Sequence, residues 1–174
     1  MSTPDITVGF IGPGAIAHSH AHALAQLPVR LHAAAGPEPA DLSEFAQAHG
    51  IEHTYADHRA LLDDDAIDAV IIAAPSSLHA SLTLDTLAAG KHVLCEIPVA
   101  MSAADTDRVV AAAAESGQLV AIGHTLRFWE PYVQLAERLA ESGPATNVVM
   151  RSVQLRQANV GWTGKARSWT DNVL

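Results

Sequence analysis

Two short stretches of the chain carry residue types that can do chemistry. The first is Gly12-x-Gly14-x-x-Ala17, inside "VGFIGPGAIAHSHAHAL". Gly12 permits a tight turn, and Gly14 has no Cβ to obstruct a pyrophosphate. Ala17 lets a following helix pack close to the preceding strand. The N-terminus of that helix, at Ala15 and Ile16, offers free N–H groups and a partial positive charge to an anion. The second stretch is "GKHVLCEIPV", in which the apolar run Val93-Leu94-Cys95 opens onto Glu96, Ile97 and Pro98. A carboxylate at the mouth of a buried strand is a group that can bind or orient a ligand, and Ile97 beside it can move no proton.

Other polar residues follow strand ends. Ala74, Pro75 and Ser76 form a turn after "AVIIA", with His79 just beyond; His124 and Arg127 stand in "GHTLRFWEPY". Ligands bind outside the carboxyl ends of strands in an open parallel sheet, so these are site candidates. "HSHAHA" raises the question of a metal. On a helix only His18 and His22 of that trio share a face, and no Asp, Glu or Cys stands nearby to complete a set. The expectation is no metal, with the three as partly exposed helix histidines.

The elements that position these residues are readable as apolar runs alternating with helical patterns. Strands are expected at Thr7–Ile11, Arg30–Ala35, His53–Tyr55, Ala69–Ala73, His92–Cys95 and Leu119–Gly123. Helices are expected at Ala15–Gln26, Ala40–His49, His58–Leu62, Ser77–Ala89 and Ser102–Ser116. Strands without a polar face are buried on both sides, as in a parallel sheet between helices. The fold class is therefore α/β, a doubly wound parallel sheet of Rossmann type. After Arg127 the texture changes: Pro131–Ser142 is helical, and Thr146–Gln157 alternates like a strand with one wet face. Residues 1–124 are expected to form a dinucleotide-binding domain and 125–174 the start of an incomplete α/β C-terminal domain.

Composition limits the partners. The chain has 174 residues, 49% of them hydrophobic and 17% charged, with a net charge of −9. That balance suits a globular domain and opposes nucleic-acid or anionic-membrane binding. No apolar stretch approaches the roughly 20 residues of a membrane span. Cys95 is the single cysteine, which rules out an intrachain disulfide. The first residues, "MSTPDITVGF", have neither a basic region nor an apolar core, so no signal peptide and a cytoplasmic location are expected. An exposed sheet edge around Thr146–Gln157 would favour dimerisation or aggregation unless it is paired, and a homo-oligomer is expected. The second strand leads into Gly36 and Pro37, where an acid would hold an NAD ribose and a basic residue an NADP 2′-phosphate. Glu38 and Asp41 lie just beyond, and NAD and NADP both stay open.

Taken together, "GFIGPGAIA", "AAPSSLHASLTLDTLAAGKHVLCEIPVA" and "GHTLRFWEPY" resemble the Gfo/Idh/MocA family of nicotinamide-dependent oxidoreductases. The resemblance covers almost the whole chain. It implies NADP or NAD as cofactor, a small-molecule substrate, and hydride transfer with an aldehyde, hemiacetal or sugar-like hydroxyl. By the same resemblance Gly12, Gly14, Ala15, Ile16, Gly36, Ala74, Pro75, Ser76, His79, Glu96, Ile97 and Arg127 are cofactor-site residues, Glu96 lying against the nicotinamide ribose. Most members have Glu-Lys-Pro where this chain has Glu96-Ile97-Pro98, so the lysine's catalytic place is empty. His124 and Arg127 are left as the catalytic candidates. Glu-Ile-Pro, "GHT-x-RF" and "RSWTD" are more similar to the 4-carboxy-2-hydroxymuconate-6-semialdehyde dehydrogenase branch, which uses NADP. The alternative is a family member that binds the dinucleotide, or keeps only the fold, without turnover.

Overall fold

The computed structural model describes residues 6–143. Backbone contacts group the chain into two units, Met1–Gly123 and His124–Leu174. The first unit is one six-stranded sheet built from β1 (Ile6–Ile11), β2 (Val29–Ala35), β3 (His53–Tyr55), β4 (Ala69–Ile72), β5 (His92–Cys95) and β6 (Val120–Ile122). All pairings are parallel, and the spatial order is β3-β2-β1-β4-β5-β6. The direction of winding therefore reverses between β1 and β4. The helices are α1 (Ala15–Leu24), α2 (Pro39–His49), α3 (His58–Leu62), α4 (His79–Ala88) and α5 (Ala103–Ser116).

The strand pattern dictates two cores, because alternate side chains point to opposite faces. On one face Val8, Phe10, Ala34 and Ile71 pack with Ala17 and Ala21 of α1 and with Leu42 and Phe45 of α2. Phe10 meets Phe45 edge to face, ring centroids 5.2 Å apart. On the other face Ile11, Val70, Ile72, Val93 and Cys95 pack with Leu61, Leu62, Leu82 and Leu87. The expected doubly wound α/β architecture is the observed one.

Several boundaries differ from the sequence reading, each for a local reason. The first helix ends at Leu24 rather than Gln26, because Gln26 N–H and Leu27 N–H fold back to Ala23 and Leu24 in tighter turns ahead of Pro28. The helix expected from Ser77 begins as a 3₁₀ turn, Ser76–Leu78, closed by Leu78 N–H to the Pro75 carbonyl at 2.8 Å. The α-helix proper starts at His79.

In the second unit a 3₁₀ turn, Thr125–Phe128, leads into helix α6, Glu130–Ser142. The strand expected at Thr146–Gln157, and the "RSWTD" stretch, lie outside the described residues.

Candidate functional site

Each ladder of the sheet runs one residue past its strand. Gly12 N–H bonds to the Ala35 carbonyl, Gly36 to Tyr55, Ala73 to Ile11, Glu96 to Ile72 and Gly123 to Cys95, at 2.8–3.1 Å. The loops after β1, β2, β4, β5 and β6 thus leave the carboxyl end of the sheet from one anchored row. The sequence-predicted residues Gly12, Gly14, Ala15, Ile16, Gly36, Ala74, Pro75, Ser76, Glu96 and Ile97 all stand in or beside that row.

Gly12 has φ +90°, and a Cβ there would lie 2.6 Å from the Ala74 nitrogen. Both the conformation and the close approach demand glycine. Gly14 is different. It is the N-cap of α1, extended at φ −89°, and a Cβ on it would have nothing within 4 Å. The helix start has no side-chain cap and no acid in its first turn. An uncapped helix N-terminus facing open space is a ready anion site. Gly36 is buried, and a Cβ there would come within 2.6 Å of Pro13 Cδ.

Glu96 follows β5 and has a histidine partner. Its Oε1 lies 2.7 Å from His20 Nε2, and its Oε2 accepts a longer bond, 3.3 Å, from the Ile97 N–H. Burial pushes the carboxyl up. The bonds from His20 and Ile97, with the charges of His20 and His79, outweigh burial and hold it below its ordinary value. The Ile97–Pro98 peptide bond is cis.

His79 is almost fully buried, with Nδ1 2.7 Å from the Pro98 carbonyl and Nε2 2.8 Å from the Ala74 carbonyl. Both ring nitrogens are occupied by backbone. Its side chain therefore ties the loop after β4 to the loop after β5 and has no nitrogen left for a ligand.

The other two members of the histidine trio part company. His22 is exposed, whereas His18 Nδ1 lies 2.8 Å from His49 Nε2 and packs edge to face on Phe45. Burial, then the nearby charges of His18 and His22, lower the His49 imidazole below its ordinary value. Among the described residues no three His, Cys, Asp or Glu converge as metal ligands. The sequence reading missed His20 as a site residue. It is 76 positions from Glu96, and only the pairing of β1 and β5 on either side of β4 brings them together. His124 and Arg127 belong to the second unit, where both are exposed and Arg127 N–H bonds to the His124 carbonyl at 3.0 Å.

Comparison with known proteins accords with this geometry. Residues 6–124 match the family model described as "Oxidoreductase family, NAD-binding Rossmann fold". The 4-carboxy-2-hydroxymuconate-6-semialdehyde dehydrogenase of Sphingobium sp. is 30% identical over 96% of this chain and 54% of its own length. A scyllo-inositol dehydrogenase from Lactobacillus casei, solved with NAD(H) and scyllo-inositol, superposes with a TM-score of 0.73 at 29% identity, over 80% of this chain and 42% of that one. A variant 3-ketoreductase from Actinomadura kijaniata, solved with TDP-benzene and NADP, gives 0.73 at 32% identity, over 79% and 44%. The chain spans about half the length of these relatives or less.

Proposed function

The chain belongs to the Gfo/Idh/MocA oxidoreductase family and carries its NAD-binding Rossmann domain, and from that premise we propose that Gly12–Ala17 cradles the pyrophosphate of NAD or NADP while Glu96 lines the nicotinamide end. One observation carries this reading. The space a side chain would occupy at Gly14 is empty, directly before an uncapped helix N-terminus. A bound dinucleotide supplies a ring carbon that gives or takes hydride.

The protein's own residues do the rest. Ala15 and Ile16 present N–H groups to the phosphates. Ala74, Pro75 and Ser76 border the cleft, with His79 as the brace that fixes this loop against Pro98. Residues 1–124 serve as the dinucleotide domain and 125–174 open a substrate and oligomer domain. His124 and Arg127 supply polar groups on the substrate side. The reaction class is oxidation or reduction at an aldehyde, hemiacetal or sugar-like hydroxyl. The Glu96-Ile97-Pro98 sequence favours the branch of the Sphingobium relative. In that branch the usual lysine is not the proton carrier, since Ile97 has no proton to move. A cytoplasmic homo-oligomer completes the reading.

The lack of a proton carrier at Ile97 also favours a second reading, dinucleotide binding without turnover. A fluorescence titration with NADH and NADPH, on the wild type and on Gly14→Val, tests both. Saturable binding that Gly14→Val abolishes, with the fold intact by circular dichroism, supports the cradle. Binding unchanged in Gly14→Val would discard it. Binding without turnover across hydroxyl and aldehyde substrates would select the second reading.

A further inference from the structure

His20 and Glu96 form a half-buried pair at the reversal point of the sheet. The histidine lies in the second turn of α1, which starts from the phosphate loop; the carboxylate follows β5. Their side chains are 19% and 15% exposed, and the contact is 2.7 Å. Such a contact outlasts a change in the protonation of His20. The Nε2–H donates to the carboxylate both in the imidazolium and in the neutral tautomer that keeps hydrogen on Nε2. What changes with the proton is the net charge of the pair, from about zero to about −1.

That charge faces a ligand whose own charge depends on its oxidation state. The nicotinamide ring is cationic when oxidised and neutral when reduced. We propose that His20 sets the redox preference of the dinucleotide site, its proton deciding whether Glu96 is neutralised or free to stabilise a cationic ring. The proposal rests on the reading that Glu96 lies at the nicotinamide end. With His20 protonated, the carboxylate has its counter-ion and the reduced ring loses no ground to the oxidised one. With His20 neutral, the carboxylate is uncompensated, and the oxidised ring gains.

The surrounding groups leave His20 as the variable. Glu96 is held ionised, its carboxyl lying below the ordinary value. Cys95, from β5, contributes no charge near neutrality, because burial, with the Glu96 charge adding to it and Thr83 opposing, pushes its thiol up to about 11. His79, from the start of α4, acts on Glu96 through its charge, and its two ring nitrogens both face carbonyl acceptors, an arrangement that only the doubly protonated ring satisfies. Backbone also borders Glu96: the Ile97 N–H, and Gly123 after β6, where a Cβ would sit 2.9 Å from Oε1.

The test is the ratio of dissociation constants for the reduced and oxidised forms of the dinucleotide, measured by calorimetry between about pH 5.5 and 8.5, the range in which imidazoles titrate. In the wild type the ratio should move on the order of tenfold towards the oxidised form as pH rises. His20→Gln keeps a donor for Glu96 without the charge and should flatten the profile. Glu96→Gln removes the negative charge whatever the state of His20 and should shift the ratio towards the reduced form at every pH. A flat profile in the wild type, or an unchanged slope in His20→Gln, would overturn the proposal while leaving dinucleotide binding intact. Failure of both forms to bind at every pH would instead remove the dinucleotide reading, and this proposal with it. The pairing has its own readout: the His20 ring resonances should move in Glu96→Gln by NMR at a fixed pH, and unmoved resonances would overturn the proposal whatever the calorimetry gives.

Discussion

The two ends of the sheet each hold a histidine–carboxylate pair, and the pairs are built to opposite ends. At the carboxyl end His20 meets Glu96 at 2.7 Å; before β4, at the amino end, His32 meets Asp64 at 2.9 Å. Asp64 also accepts from the Tyr55 hydroxyl at 3.1 Å and the Ala66 N–H at 2.9 Å, while its own carbonyl takes a bond from buried Lys91. The Ala66 N–H is the largest influence on its carboxyl, and it lowers it; burial opposes, and His32 and Tyr55 lower it further. At Glu96 burial is the largest influence, and it pushes the other way. Asp64 accepts three bonds, from His32, Tyr55 and Ala66. Glu96 accepts two, from His20 and Ile97, and these have to outweigh burial to keep its charge favoured, which leaves it the larger spare acceptor capacity.

Breaking this contrast should give effects in a definite order. The largest belongs to Gly12→Val, which meets both a positive φ and the Ala74 backbone. It should cost about 3 kcal/mol or more and abolish dinucleotide binding, as read by chemical denaturation and NADH titration. Lys91→Met comes next. It strips the donor from the Asp64 and Ile67 carbonyls, so a loss of about 2–3 kcal/mol is expected, with dinucleotide affinity unchanged. A change in affinity would show that the two ends are coupled.

Acid titration sharpens the same point more gently. Asp64 has a folded-state pKa below its ordinary 3.8, so the folded form binds fewer protons than the unfolded one in that window. The stabilisation is complete above that ordinary value and fades as pH falls through the lowered one. Asp64→Asn should remove this part of the acid dependence of the denaturation midpoint. The smallest effect is at Cys95, buried and with its thiol near 11. It should resist alkylation at pH about 8 until the chain unfolds, and mass spectrometry of iodoacetamide-treated protein checks this.

The strands and their order of appearance were legible because buried parallel strands are apolar on both faces, as Val70, Ile71 and Ile72 are. The tight turn at Gly12 and the helix start at Ala15 were legible because glycine spacing is a local signal. His20–Glu96 was not, since no local pattern reports a contact across 76 positions. His79 reads in the sequence as a cofactor-site residue, and its place as a buried brace was not legible, because its partners are carbonyls and carbonyls leave no trace in a side-chain pattern. The 3₁₀ start at Ser76 was hidden for a similar reason: Pro75 begins a turn whether or not a full helix follows.

Pro13 pressed against Gly36 has an evolutionary consequence. Position 36 follows the second strand, where a side chain can discriminate between ribose and 2′-phosphoribose. Any such side chain would collide with Pro13 Cδ at 2.6 Å. A lineage changing its cofactor preference through position 36 must therefore release Pro13 first or at the same time.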